Sequence, residues 1–133
     1  MTRCVAQKIR LDYDRIMLTL NVRGHANYAE NGKDIVCSAV SCLCISLANT
    51  LLAIGVEKRN FIMDDGSFYM SAVVAEHANL KYAEGAFDTA VNGLQMIAEQ
   101  YPNHVFFESG VSHQKFSCDT ITVKDDGKPS ARG

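Results

Sequence analysis

The chain has 133 residues, of which 47% are hydrophobic and 21% are charged, and its formal net charge is −2. A chain of this length can bury about two-thirds of its unfolded surface, which fits a single domain. Acidic and basic residues are spread along it, without the basic stripe that neutralises phosphates. The composition therefore argues against nucleic acid as a direct partner.

Two features of the sequence favour a cytoplasmic setting. Arg3, Lys8 and Arg10 interrupt the first residues, so the continuous apolar core of an export signal does not develop. The 5 cysteines are an odd number, and Cys42 and Cys44 fall within one predicted helix. A disulfide framework is therefore not expected, and we predict a reducing compartment.

The first elements are two predicted strands, at residues 4–11 and 15–23, joined by a turn at 12–14. Aliphatic residues alternate with other residues along the second strand, which is the period of a sheet with one buried face. A polar loop follows at residues 24–33. Asp34 then fits the N-cap of a helix, because its carboxylate can accept hydrogen bonds from the free amides of the first turn.

The stretch from Ile35 to Val56 carries no charged residue and is long enough to cross a bilayer. At helical spacing it has one apolar stripe, made of Val36, Val40, Leu43, Leu47, Leu51 and Ile54. Its opposite side is small and polar, with Ser38, Cys42, Ser46 and Asn49. A lipid-facing helix would not keep one such side, so we predict no membrane span. Instead, we expect a buried helix of a soluble protein, packed on its stripe and closely approached on its small side.

The second half begins with a predicted hairpin of strands 58–64 and 67–75 around the turn Asp64-Asp65-Gly66. From Leu80 to Gln100, apolar residues recur at helical spacing, with polar residues on the other side. Pro102 ends this second helix, because proline cannot continue a helical hydrogen-bond pattern.

A short strand at residues 104–108 completes the order ββαββαβ. This order predicts the α+β fold class: a single domain with a largely antiparallel sheet and two helices packed on one face. We place the domain at residues 1–109 and a C-terminal extension, partly disordered, at 110–133. Within the extension, residues 116–123 fit an added edge strand, and the polar residues 124–133 are predicted to be disordered.

Cys37 is the candidate nucleophile. It falls in the first helical turn after the cap Asp34, where unpaired amides and the positive end of the helix dipole favour a thiolate over a thiol. The amides of Ser38 and Ala39 are candidate donors to the oxyanion of a tetrahedral intermediate. The alternative is that Cys37, like most free cysteines, is a small buried hydrophobe and that Asp34 is only a structural cap.

His25 is the candidate acid/base. It lies in the loop before the helix, after Gly24, where a side chain can reach the helix start, take up a proton and return it to a leaving amine. Ser41, one turn after Cys37, is placed to hydrogen-bond a substrate or to hold the loop. The alternative for His25 is an ordinary solvated loop histidine.

Metal and cofactor chemistry are not predicted. Cys37, Cys42 and Cys44 do not have the spacing of zinc knuckles, and the other histidines show no paired spacing. The sequence contains no Walker-type phosphate loop and no dinucleotide fingerprint. We therefore expect no metal and no cofactor.

The segment around these residues resembles a known signature. The run Gly24-His25-Ala26, followed by Gly32-x-Asp34-Ile35-Val36-Cys37-Ser38-Ala39-Val40-Ser41, is similar to the signature of the ribosomal-processing cysteine protease family (Prp). The strand pair before the motif and the hairpin, helix and strand after it also fit, so the resemblance covers about residues 4–108. Ser38 departs from the family, which commonly has alanine there, and the tail after Ser109 is longer than the family core.

The resemblance implies a cysteine endopeptidase domain at residues 1–109, with Cys37 as nucleophile and His25 as acid/base. The supporting and substrate-binding positions would be Gly24, Asp34, Ser38 and Ser41. The implied substrate is the N-terminal extension of large-subunit ribosomal protein twenty-seven, cut after a hydrophobic, aromatic-containing sequence during ribosome maturation. The resemblance also implies a homodimer and a mobile loop, about residues 24–33, that closes the cleft.

Three alternatives remain open. The same fold could serve as a non-catalytic ribosome-assembly or peptide-binding module, in which replacing Cys37 by alanine would leave the function intact. A different Cys–His enzyme, such as an acyl transferase or thioesterase, would need a carrier site that the sequence does not show. A structural protein could self-associate through small residues of the second helix, namely Ala86, Ala90, Gly93 and Ile97.

Overall fold

A computed structural model describes residues 1–75, 77–111, 120–123 and 129–132 of the protein. In chain order the elements are β1 (Thr2–Asp12), β2 (Arg15–Arg23), α1 (Ile35–Ala53), a 3₁₀ turn (Lys58–Asn60), β3 (Phe61–Asp64), β4 (Ser67–Val74), α2 (His77–Gln100), β5 (Val105–Val111), β6 (Thr120–Val123) and β7 (Pro129–Arg132). The strands and α-helices up to β5 confirm the predicted order ββαββαβ.

The fold is α+β, as predicted, with a five-stranded sheet in the order β3-β4-β2-β1-β5 and two helices on one face. Every neighbouring pair of strands is antiparallel except β1 and β5, which run parallel. β1, β2 and β4 alternate between covered and open side chains, because only one face of the sheet is covered. The core lies between that face and the helices and includes Leu18, Leu20, Met70, Phe87 and Leu94.

α1 is the one helix in the described part of the chain that is long and apolar enough to cross a membrane by length and composition. Its predicted stripe is confirmed as the packed side, with Val36, Val40, Leu47 and Leu51 buried. The opposite side is exposed in the single chain rather than closely approached, as shown by Ser38, Cys42, Ser46 and Asn49. Within one chain α2 and the sheet both pack on the stripe side, so a close approach to the small side stays a prediction.

The small residues of α2 pack inside the protein. Ala90 and Ile97 are buried, and a Cβ atom added at Gly93 would lie 2.7 Å from Leu43 of α1. Glycine at this position therefore allows the two helices to approach each other. Since this side of α2 is used for packing on α1, the predicted alternative of self-association through it is wrong.

Two element boundaries differ from the prediction. Residues 58–60 form a 3₁₀ turn instead of the start of a strand, and the Asn60 side chain donates to the Ser71 carbonyl at 2.9 Å. α2 begins at His77, before the predicted start at Leu80. Its first turn is mostly exposed and offers no apolar period that a sequence pattern could reveal.

β6 and β7 pair antiparallel in a two-stranded sheet of their own. The part of the predicted edge strand 116–123 that is described is thus not a strand of the five-stranded sheet, and β7 is a strand in a segment predicted to be disordered. The predictions for residues 112–119, 124–128 and 133 lie outside the described residues. The division between domain and extension at residue 110 stays a prediction.

One cation is buried on the helix-facing side of β1. Lys8 is 7% exposed, and its Nζ lies 2.9 Å from both Glu84 Oε2 and Asp88 Oδ1. Burial acts to lower the pKa of Lys8, but hydrogen bonds and charge from the two carboxylates outweigh it and raise that pKa above its ordinary value. This ion-pair network joins β1 to α2.

Candidate active site

A cleft of about 640 Å³ opens between the N-terminus of α1, the loop before it and the β3–β4 turn. Its lining includes all six predicted site residues: Gly24, His25, Asp34, Cys37, Ser38 and Ser41. The end of β3 and the β3–β4 turn add Asp64, Asp65 and Gly66 to the lining. The sequence identified these three only as a hairpin turn, because nothing local indicates that the turn folds over the loop.

Asp34 joins the start of α1 and the preceding loop into one hydrogen-bonded unit. Its Oδ1 accepts from the amides of Val36 at 3.0 Å and Cys37 at 2.9 Å, as expected for an N-cap. Its Oδ2 accepts from the amides of Tyr28 at 2.9 Å and Ala29 at 3.3 Å, which belong to the loop. The sequence predicted the first pair of bonds and missed the second.

The charge of Asp34 follows from these contacts. Burial acts to raise the pKa of Asp34, but hydrogen bonds from the amides of Cys37, Ala29 and Tyr28 and from the Cys37 thiol outweigh it. The pKa therefore lies below its ordinary value, and Asp34 is an anion at neutral pH. It acts as a helix cap and as an anchor for the loop.

Cys37 is half-buried in the first turn of α1, and its sulfur receives a backbone donor. The Ala26 N–H points at Sγ over 3.3 Å. A donor in this position stabilises a thiolate more than a thiol, in the same sense as the helix N-terminus. The Asp34 carboxylate, which accepts from the Cys37 thiol, acts in the opposite sense, so the sulfur has a backbone donor on one side and an anionic acceptor on the other.

The predicted oxyanion donors are not available. The Ser38 amide donates to the Asp34 carbonyl at 3.0 Å as the first regular bond of α1. The Ala39 amide follows it in the same helix and is used by the regular pattern. The prediction that these two amides bind the oxyanion is therefore wrong, because the cap starts the helical bonding one residue after Cys37.

His25 is exposed and lies against the β3–β4 turn. A Cβ atom added at Gly66 would be 2.7 Å from His25 Nε2, so the imidazole sits directly on this glycine. Within the described part of the chain, no hydrogen bond joins His25 to Cys37, although both line the cleft. Proton exchange between them therefore requires the His25 side chain to rotate away from Gly66.

Gly24 fixes the base of the loop. Its φ of +91° lies in the region that favours glycine, and an added Cβ would be 2.5 Å from the Met1 carbonyl oxygen. Its N–H donates to the Gly66 carbonyl at 2.7 Å, and its own carbonyl accepts from Thr2 Oγ1 at 3.3 Å. The loop that carries His25 is thus tied to the start of β1 and to the β3–β4 turn.

A tyrosine and a second histidine of the α2–β5 connection support the loop through its residue Tyr28. The Tyr28 ring packs edge-on against the rings of Tyr101 and His104, each with a centroid distance of 5.4 Å. His104 Nδ1 lies 2.9 Å from the Ala26 carbonyl oxygen. The sequence gave no sign of this support, since the connection is far from the loop along the chain.

The cleft wall offers hydroxyl groups but no metal site. The Ser38 and Ser41 side chains line the cleft and make no hydrogen bond to other described residues. Among the described residues, no group of three or more His, Cys, Asp or Glu side chains is placed to hold a metal ion. The polar side chains that line the cleft supply thiols, an imidazole, carboxylates, carboxamides and hydroxyls.

The sequence profile of the family described as Cysteine protease Prp matches residues 4–106. The ribosomal processing cysteine protease Prp of Bacillus subtilis is 34% identical over 62 residues, which is 46% of this chain and 55% of that protein. The protein of the same name from Staphylococcus aureus (strain Mu50) is 30% identical over 84 residues, which is 62% of this chain and 76% of that protein.

The fold also matches a solved structure. A crystal structure of an essential ribosomal processing protease Prp from S. aureus, in complex with a covalently linked product peptide, superposes with a TM-score of 0.65. The sequence identity is 23%, and the match covers 83% of this chain and 100% of that one. The likeness shows that the two chains share the α+β fold described above.

Proposed function

The chain belongs to the cysteine protease Prp family, and we propose that it is an endopeptidase in which Cys37 is the nucleophile and His25 the acid/base. The observation that carries the proposal is the environment of Cys37. Its sulfur lies at a capped helix start, receives the Ala26 N–H at 3.3 Å, and shares a cleft with His25. Among the described side chains, two cysteines (Cys37 and Cys44) and one histidine (His25) line the cleft. Of the two sulfurs, only that of Cys37 is not buried.

The reaction follows from these groups. The Cys37 thiolate attacks the scissile carbonyl carbon, forming an S–C bond, and His25 gives its proton to the amine as the C–N bond breaks. His25 then takes a proton from water, whose oxygen attacks the thioester and releases the acid and the free thiolate. His25 reaches the substrate nitrogen by rotating from its position on Gly66.

The oxyanion needs donors other than the first-turn amides. The hydroxyl groups of Ser38 and Ser41 lie on the cleft and make no hydrogen bond to other described residues, so they are free to donate. Ser38 stands where the family commonly has alanine, which makes Ser41 the donor that other members could share. Gly24 and Asp34 support the site by fixing the position of the loop relative to the start of α1.

The proposed substrate is an extended peptide, and specifically the N-terminal extension of large-subunit ribosomal protein twenty-seven. The S. aureus relative was solved with a covalently linked product peptide, which supports a peptide substrate for this chain. The geometry supports it too, since β3 is an edge strand and its Met63 and Asp64 line the cleft. An extended chain can pair with such an edge while it crosses Cys37. Removal of the extension during ribosome maturation would take place in the cytoplasm.

We propose further that the protein forms a homodimer through the exposed side of α1. This side carries no charged residue, and Ile35 is 59% exposed in the single chain and lies outside the cleft lining. A substitution of Ile35→Glu adds a charge that suits a helix N-terminus, so folding is retained. Light scattering should show a dimer for the wild-type protein and a monomer for the variant. A monomeric wild-type protein would contradict the proposal.

The function is tested with a synthetic peptide that spans the extension and its junction with the mature ribosomal protein. Mass spectrometry should show one cut after the hydrophobic, aromatic-containing sequence with the wild-type protein and no cut with Cys37→Ser or His25→Ala. A control peptide in which glycines replace the aromatic residues should stay intact. Equal cutting by all three proteins would refute the Cys37–His25 pair.

One other candidate function shares the fold and the cleft. The lack of a hydrogen bond between His25 and Cys37 in the described structure is also consistent with a peptide-binding module that performs no chemistry. The two functions differ in one outcome of the same experiment. A module would bind the peptide, measured by fluorescence anisotropy, with equal affinity in wild type and Cys37→Ala, and would leave it uncut in both.

A further inference from the structure

A second histidine is connected to the candidate nucleophile through a single residue. We propose that His104 is a positioning residue: it holds Ala26 so that the Ala26 N–H points at the sulfur of Cys37. The proposal deepens the function proposed above and rests on Cys37 being the nucleophile. On this proposal, the α2–β5 connection helps to stabilise the Cys37 thiolate.

The first link is the hydrogen bond between His104 and Ala26. His104 Nδ1 and the Ala26 carbonyl oxygen are 2.9 Å apart. A carbonyl oxygen can only accept, so His104 Nδ1 carries the hydrogen and is the donor. The ring is therefore in the Nδ1–H form, or doubly protonated, whenever this bond is made.

The second link runs from Ala26 to the sulfur. The Ala26 N–H lies 3.3 Å from Cys37 Sγ, and Ala26 itself is 1% exposed. The two bonds use the amide and the carbonyl of one residue, whose peptide planes meet at the Ala26 Cα, so holding the carbonyl limits the φ and ψ rotations that would turn the N–H away from the sulfur. Ala26 follows His25 directly, so the hydrogen bond from His104 to Ala26 also limits how far the backbone of His25 can move.

His104 is fixed well enough to act as a support. Its carbonyl accepts from the Thr2 amide at 2.9 Å, and its amide donates to the Tyr101 carbonyl at 2.9 Å. Its ring packs edge-on against Tyr28, with an interplanar angle of 75°. Tyr28 in turn donates its amide to Asp34. The ring therefore contacts the loop on both sides of Asn27.

The main competing explanation is that His104 only packs against Tyr28. Two substitutions separate packing from hydrogen bonding. His104→Phe keeps an aromatic ring against Tyr28 and removes the donor, whereas His104→Asn removes the ring and keeps an N–H near the position of Nδ1. His77→Phe is the matched control, because His77 is an exposed histidine beside Asp14 that does not line the cleft.

The readout is the rate of Cys37 alkylation by iodoacetamide as a function of pH, measured without substrate by mass spectrometry of the peptide that contains Cys37. His104→Phe removes the hydrogen bond that holds Ala26, so the Ala26 N–H should stabilise the thiolate less well. This should move the alkylation profile to higher pH by about half a unit and lower the rate near neutrality about threefold. His104→Asn should lie closer to wild type, and His77→Phe should match it. Melting temperatures of all variants show whether each is folded.

The outcomes are distinct. A shift in His104→Phe with recovery in His104→Asn supports the positioning role. Superimposable profiles for wild type, His104→Phe and His104→Asn would overturn it, and so would a shift that appears only in His104→Asn, since that pattern reports packing. Because no peptide is cleaved in this experiment, a failure of the proposed substrate leaves the result intact and readable.

Discussion

Two cysteines on the same helix line the same cleft and differ in almost every property that controls thiol chemistry. Cys37 is in the first turn of α1 and receives the Ala26 N–H, whereas Cys44 lies two turns further on and is 3% exposed. Burial raises the pKa of the Cys44 thiol to about 12, and the nearby Cys4 adds to this shift. The contrast supports the proposal that the helix start and its loop, rather than the residue type, select Cys37 as the nucleophile.

The difference has a simple physical origin. At Cys44 the helix amides are already bonded within α1, and the surroundings are aliphatic, so a negative sulfur would be desolvated without compensation. At Cys37 the sulfur is only half-buried and faces the Ala26 donor, the Asp34 carboxylate and a polar cleft. The following variants either remove this contrast or isolate its causes, starting with the largest expected effect.

Removal of the sulfur at each position should give opposite results. Cys37→Ala should lower the rate of peptide cleavage by at least about a thousandfold, because the covalent step is lost. Cys44→Ala should keep the rate within about threefold and lower the free energy of unfolding by about 1 kcal/mol, through lost packing. Cleavage assays with urea unfolding curves measure both. A large loss of cleavage in a folded Cys44→Ala protein would end the distinction between the two cysteines.

Gly66→Ala should separate the acid/base from the nucleophile. The new Cβ would meet His25 Nε2 at 2.7 Å and push the imidazole from its place. Because His25 leaves Gly66 to reach the substrate nitrogen, we expect cleavage to stay at the wild-type rate or to rise by up to about threefold, while Cys37 alkylation stays at the wild-type rate.

Gly55→Ala is the control for that experiment. Gly55 has a φ of +97°, so alanine there meets a similar backbone strain to Gly66 with its φ of +72°, but no atom lies within 4 Å of the added Cβ. The control should lose about 1 kcal/mol of stability and no cleavage activity. A loss of cleavage in Gly66→Ala alone would contradict the rotation of His25 away from Gly66, whereas an equal loss in both variants would report backbone strain.

Substitutions of Asp34 test how much the stability of the helix start and its loop depends on one carboxylate. Asp34→Ala leaves the amides of Val36, Cys37, Tyr28 and Ala29 without their acceptor, and we expect a loss of about 2–4 kcal/mol in the free energy of unfolding. Asp34→Asn keeps one oxygen acceptor and should lose about half as much. Urea unfolding at neutral pH measures both, and a loss below about 0.5 kcal/mol for Asp34→Ala would contradict the anchoring role.

The lowered pKa of Asp34 predicts that the free energy of unfolding depends on pH. The pKa of Asp34 is lowered in the folded protein, so its carboxylate binds protons less readily there than in the unfolded chain. Its contribution to stability is therefore fully present above the ordinary carboxyl pKa and is lost as the pH falls through the lowered value. The difference in unfolding free energy between wild type and Asp34→Asn should shrink on acidification. A difference that grows toward low pH would have the wrong sign.

Substitution of Lys8 should have the smallest effect on the reactivity of Cys37. Lys8→Ala leaves Glu84 and Asp88 without the ammonium between them, which should cost about 2–4 kcal/mol of stability. The pH profile of Cys37 alkylation should nevertheless match that of the wild-type protein while the variant is folded. A shift in that profile would show that general loosening of the fold, rather than the contacts at the helix start, sets the reactivity of Cys37.

Much of this arrangement could be predicted from the sequence because it depends on local patterns. The alternation along β2, the uncharged stripe of α1 and the cap at Asp34 each involve residues close together in the chain. They predicted the fold class and brought Cys37 to a helix start. The six predicted residues all line one cleft because the loop and the first turn of α1 are consecutive in sequence.

The remainder depends on contacts between distant segments. The position of His25 on Gly66, and the bond from His104 to Ala26, arise only when the sheet order places the β3–β4 turn and the α2–β5 connection beside the loop. The oxyanion prediction failed for a different reason. It counted the amides of Ser38 and Ala39 as free, although a well-capped helix begins its regular bonding at Ser38.

The most direct measurement is competitive alkylation of the folded wild-type protein with a small excess of iodoacetamide near neutral pH, with the sites of modification identified by mass spectrometry. Cys42 is exposed and Cys37 is only half-buried, so access alone would favour Cys42. Selection by the helix start and the Ala26 N–H predicts that Cys37 reacts first, with Cys4 and Cys44 unmodified. Faster reaction at Cys42 than at Cys37 would contradict the account.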